Sequence, residues 1–118
     1  MAVAGPTKVD LLGFDGMAQM WEWTGLGNEN GAWLTLDPLF SDRTVMVYGT
    51  FGGTVTIQGT LETGTPAAPV TLKDPSQNAI TFTANGIDTI LDNCLKIRPS
   101  GGVGVTDVTV RVLAVRRF

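Results

Sequence analysis

The sequence contains no histidine, and its only cysteine is Cys94. The first absence removes the commonest general base, the usual partner of a nucleophilic serine and the commonest transition-metal ligand. A single cysteine excludes an internal disulfide and a four-cysteine metal site. Charge is sparse as well: Asp, Glu, Lys and Arg make up 16% of the 118 residues, against roughly 25% in an average globular domain. The net charge of −3 gives no bulk attraction to nucleic acid or to an anionic membrane. No stretch reaches the about 18 unbroken apolar residues of a membrane span, and the first residues lack the basic-then-apolar order of a secretory signal.

What is present is β text. Apolar residues make up 43% of the chain, which also carries 15 glycines. A chain of this length fits one domain of roughly 100–150 residues, burying somewhere between ~60% and ~70% of its unfolded surface. The low charge leaves two readings of that surface. Either Thr-, Ser- and Asn-rich strand faces meet the water, or other subunits cover part of it.

Residues 1–16 (MAVAGPTKVDLLGFDG) read as an extended N-terminal arm, with a β-sandwich domain over 17–118. The apolar patch Leu11, Leu12 and Phe14 would dock the arm, on its own domain or on a neighbour. In Met17–Thr24, Trp21 and Trp23 at spacing two share one strand face. Gly25–Gly31 reads as a loop, and Trp33–Leu36 as a short strand ended by Asp37-Pro38. Asp42–Phe51 sets Val45 and Val47 on one face and Thr44, Met46 and Tyr48 on the other. Gly52-Gly53 predicts a hairpin into Thr54–Leu61, where Val55 and Ile57 point inward.

Further on, Val70–Leu72 and Ala79–Ala84 flank the turn Asp74–Asn78, with Ile80 and Phe82 inward. Ile87, Ile90 and Leu91 stand at helical spacing and predict a single helical turn. Cys94–Pro99 is a strand with Leu95 and Ile97 on one face; Cys94 either joins the face of Lys96 and Arg98 or precedes a bend. Residues 100–104 read as a flexible loop. The closing run to Arg117 aligns Val108, Val110, Val112 and Ala114. About seven or eight short strands without long helices specify an all-β, antiparallel, jelly-roll-like β-sandwich.

No constellation for chemistry stands out. The carboxylates form no paired motif of the glycosidase kind, and most sit where Asp stabilises a turn. Asn28-Glu29-Asn30 and Asp88 with Asp92 could offer oxygen to calcium, but neither follows the EF-hand spacing. The glycine-rich pieces open no helix and so lack the stacked donors of a phosphate loop. Trp21, Trp23 and Trp33 suit core or subunit interface better than a sugar platform. The expectation is therefore a non-enzymatic protein with no catalytic residue, metal or cofactor. Met46 and Tyr48, opposite the core valines, suit an oligomer interface. Arg111, Arg116 and Arg117 form a basic cluster suited to a carboxylate on a neighbour, and Arg116 and Arg117 join the interface candidates.

The order of four stretches, WEWTGLGNENG (21–31), RTVMVYGTFGGTVTIQGTLETG (43–64), VTLKDPSQNAITFTANGI (70–87) and IRPSGGVGVTDVTVRVLAVRR (97–117), resembles tailed-bacteriophage capsid decoration proteins of β-sandwich fold. The resemblance covers about four-fifths of the chain and lies in the order of the pieces. One departure is TLETGTPAAPV (60–70), where the family pattern has a small polar turn followed by an aromatic. The resemblance implies a virion protein on the outer capsid surface, made in the host cytoplasm, binding the major capsid protein as a homo-oligomer, most simply a trimer. It assigns no contact residues and implies neither a nucleic-acid nor a membrane partner. A tail or fibre β domain and a carbohydrate-binding module are the alternatives.

Overall fold

The computed structural model describes residues 5–11, 13, 16–66 and 68–116, and among them are ten strands and no helix. In chain order these are β1 (Thr7–Val9), β2 (Ala18–Leu26), β3 (Leu34–Thr35), β4 (Asp42–Thr50), β5 (Val55–Thr60), β6 (Val70–Thr71), β7 (Thr81–Phe82), β8 (Gly86–Ile90), β9 (Lys96–Gly101) and β10 (Asp107–Val115). They form two antiparallel sheets. The first has the order β1-β2-β10-β4-β8, and the second β3-β9-β5-β6, with β7 also on β5.

β6 and β7 are two halves of one edge strand. The Leu72 N–H donates to the Ile57 carbonyl at 2.9 Å, and the Ile57 N–H donates to the Ile80 carbonyl at 3.1 Å. Residues 73–79 leave the sheet between these two points as a tight turn. There Asp74 Oδ1 accepts from the Ser76 and Asn78 N–H groups, both at 2.9 Å. Counting the two halves as one, and setting β1 aside, each sheet has four strands. Every connection crosses from one sheet to the other except that from β5 to β6. This is the arrangement of a jelly roll.

Alternation in the sequence builds the core between the sheets. Val108, Val110, Val112 and Ala114 of β10 are fully buried, facing Val55, Ile57, Ile80 and Ile97. Each such valine or isoleucine contributes about 1.5–3 kcal/mol relative to exposure. In β2 the alternation is interrupted. Trp23 and Leu26 are both buried although three apart, because Gly25 (φ 65°) forms a bulge opposite β10.

Several expectations are corrected. Gly52-Gly53 is not a hairpin turn, since β4 and β5 lie in different sheets. The chain crosses over there with its backbone pressed against residues 103 and 104; a Cβ on Gly52 or Gly53 would collide with the Gly104 or Val103 carbonyl. A Gly-Gly pair gives the same signal whether the chain folds back or changes sheet. The expected helical turn over Ile87–Leu91 is instead β8, in register with β4 from Arg43↔Ile90 to Val47↔Gly86. Only Ile90 of that apolar trio is buried, so it forms no common face. Of the two readings of Cys94 the bend holds: the chain turns at Leu95, and Cys94 and Ile97 both point inward. The expected loop at 100–104 begins as strand, β9 running to Gly101.

The N-terminal arm docks, over Thr7–Val9, on its own chain as the edge strand next to β2. Leu11 is half-buried in the connection that follows. Leu12, Phe14 and Arg117 lie outside the described residues.

Candidate functional site

The first sheet turns one face to the core and the other outward, and register fixes what the outer face displays. One row crosses all five strands as Thr7, Glu22, Arg111, Met46 and Ile87. The adjacent row is Val9, Met20, Leu113, Thr44 and Thr89. Tyr48 pairs with Thr109 one step further on. Met46 is 39% and Ile87 65% exposed, large values for apolar side chains on the two neighbouring strands β4 and β8 at one side of the sheet. A shallow depression of about 210 Å³ opens here, lined by Met20, Thr44, Met46, Ile87, Arg111 and Leu113.

An ion pair stands within this apolar strip. Arg111 Nε donates to Glu22 Oε2 at 2.9 Å, with the two side chains 36% and 23% exposed. A half-exposed pair contributes at most about 1 kcal/mol to stability. Its larger effect is to leave a strip that is apolar and locally neutral. Arg111 thus finds a carboxylate within its own chain.

Of the residues singled out in the sequence, the structure brings Met46 and Tyr48 onto this face. Arg116 lies beyond the end of β10, exposed, its N–H donating to the Met17 carbonyl at 2.9 Å. That is five residues along the chain from Arg111, about 16 Å at a strand's rise. Ile87, Met20 and Leu113 were not expected here. Met20 and Leu113 alternate with Trp21, Val112 and Ala114, and that period-two pattern was the available signal. Ile87 was hidden by its apparent helical spacing.

The outer face of the second sheet is polar. The Arg98 guanidinium lies 4.5 Å from the Trp33 ring centroid, and its Nε donates to Gln58 Oε1 at 2.8 Å. Burial lowers the pKa of Arg98. Trp23 is fully buried, its indole N–H donating to the Ala32 carbonyl at 2.9 Å, and Trp21 packs against the core. Trp21 and Trp23 therefore form no exposed stacking platform for a sugar.

At one end of the sandwich the interior holds a charge. Arg43, 2% exposed, donates from Nε to the Phe40 carbonyl at 3.0 Å and from Nη1 to the Cys94 carbonyl at 2.6 Å. Its Nη2 is buried without a partner. Burial lowers the Arg43 pKa, and the neighbouring Cys94 opposes that shift. Burial likewise raises the Cys94 thiol pKa, only partly offset by Arg43. The thiol is held protonated at neutral pH and away from solvent, which suits packing and not nucleophilic attack. A cleft of about 500 Å³ runs outside this end, past Ser41, Thr89 and Asn93.

No protein-family model and no curated protein matches the sequence. Among solved structures, the fold is similar to a cupin domain of Bordetella pertussis, with TM-score 0.50 and 11% identity over 99% of each chain. A protein of Neisseria meningitidis has TM-score 0.47 and 10% identity, covering 98% of this chain and 86% of that one. A protein of the disulfide-linked pili of Bacillus endospore appendages has TM-score 0.44 and 13% identity, covering 99% and 96%. The likeness to the cupin domain supports the two-sheet β-sandwich and speaks for the fold alone.

Proposed function

We propose that this chain is a non-catalytic assembly protein of a phage virion. It decorates the head by binding the major capsid protein as a homo-oligomer. The observation that carries the assembly reading is the outer face of the first sheet. A neutral strip with Met46 and Ile87 exposed side by side on β4 and β8 is a surface for another protein. The order of segments from Trp21 to the C-terminus, resembling head decoration proteins, supplies the virion part.

The mechanism is burial multiplied by copy number. Covering apolar surface gains about 25 cal/mol per Å², and a lasting contact needs roughly 800 Å² per partner. A homo-oligomer touches several capsid subunits at once, so its second and third contacts form at high effective concentration. Small individual contacts then suffice.

The test mixes purified protein with phage heads prepared without it and counts bound copies after sedimentation. Many copies spread over the head are expected. A few copies at one vertex would favour a tail or fibre domain, and no attachment would overturn the virion reading. A change in tryptophan fluorescence on a glycan panel would point instead to the Trp33 face.

A further inference from the structure

We infer that the outer face of the first sheet is self-complementary and takes a second copy of this chain, packed face to face about a two-fold axis. The inference deepens the homo-oligomer part of the reading above and rests on it. The axis lies in the interface plane, along the strands and between β2 and β10.

Charge selects this occupant. Glu22 and Arg111 sit side by side on β2 and β10, paired at 2.9 Å, with Met20, Leu113 and Met46 among their neighbours on the face and Thr7 beyond Glu22. A wholly apolar partner would cover the pair and strip its water with no compensation. A partner carrying charge of one sign would satisfy one member and repel the other. A second copy turned about the stated axis sets its Arg111 over Glu22 and its Glu22 over Arg111. The four charges then alternate around a square, and each has two opposite neighbours.

Part of the apolar set follows the same operation, while Ile87 on the edge strand β8 falls beyond β1 of the other copy and stays uncovered. In the adjacent row Met20 and Leu113 are partners across β2 and β10, so the axis lays Met20 of one copy over Leu113 of the other. Val9 and Thr44 flank that pair on β1 and β4. Val9 of each copy therefore falls over Thr44 of the other, at the depression of about 210 Å³ bounded by Thr44, Met46 and Leu113. Packed sheets of this kind stand roughly 10 Å apart, near enough for these side chains to interdigitate.

Two charge reversals test it: Glu22→Arg and Arg111→Glu, each verified as folded by circular dichroism. Sedimentation equilibrium is expected to find the unaltered protein dimeric and each variant weakened roughly tenfold or more. Mixing the two variants is expected to restore association, because each copy then presents one sign to the other. Val9→Asp gives an independent variant on the same face, also expected to weaken the dimer. A monomer at high micromolar concentration, a trimer, or variants that self-associate like the parent would overturn the inference. So would a monomer whose attachment to heads is lost with Val9→Asp, since the capsid protein would then occupy the face. A monomer that still coats heads overturns only this inference; a dimer that binds no heads overturns only the decoration reading.

Discussion

Arg43 and Cys94 stand 51 positions apart in the chain, yet the Arg43 Nη1 donates to the Cys94 carbonyl at 2.6 Å inside the sandwich. The same guanidinium holds the Phe40 carbonyl through Nε. One side chain of the first sheet thereby fastens the segment leading into β4 to the segment leading into β9.

Arg43→Ala should therefore cost about 3–5 kcal/mol, from a cavity and two buried carbonyls left without donors. Arg43→Met fills most of the volume and removes the buried charge, so it should cost clearly less. Urea titrations of both variants measure this. An alanine variant within about 1 kcal/mol of the parent would show that the two carbonyl bonds contribute little.

Gly31 lies between two rings. A Cβ at this position would stand 2.8 Å from both Pro99 Cγ and Trp23 Cδ1. Gly31→Ala must displace one of them and should cost about 1–3 kcal/mol, the usual range for overpacking. A red shift of the folded-state tryptophan emission is expected if Trp23 gives way, alongside the fall in thermal midpoint.

Asp88 has a raised pKa, first from burial and then from nearby Asp74, while the Thr89 N–H bond opposes the rise. A carboxyl whose folded pKa exceeds its unfolded value favours folding when protonated, and that advantage is lost as pH rises through the folded pKa. Asp88→Asn keeps an oxygen for the Thr89 N–H and cannot ionise. The variant should gain stability over the parent as pH rises from about 3 to 7, by a small margin since the site is near the surface. Thermal midpoints of both proteins across that range test the sign; an advantage that shrinks with rising pH would contradict it.

The frame was legible wherever one face of a strand is buried. Val45 with Val47, Val55 with Ile57, and the alternate residues of β10 announce their strands and their inward sides, because burial on one face imposes period two. Pairing was less legible. The Gly52-Gly53 signal records that the backbone turns tightly, not which sheet receives the next strand. Ile87 misled because an edge strand with one buried residue in five carries almost no periodicity. Alternation with Val45 and Val47 puts Arg43 on the inward side of β4, but what lets a charged residue stay there is in part the Cys94 carbonyl, 51 positions away. On the candidate face, Met46 and Tyr48 followed from alternation along a single strand. The Glu22–Arg111 pair needed the register between two strands at opposite ends of the chain.

The turn that interrupts β6 and β7 has a consequence for the size of anything this protein builds. A long straight sheet edge offers a ladder of backbone groups to the next strand, and chains joined that way grow without limit. Here the outer edge of the second sheet is cut into two-residue pieces by residues 73–79, and the opposite edge is the two-residue β3. Neither offers an incoming strand more than a short ladder. The longest sheet edge among the described residues is β8, Gly86–Ile90, on the first sheet, so growth by strand addition is confined there, whereas a two-fold contact between faces closes on itself.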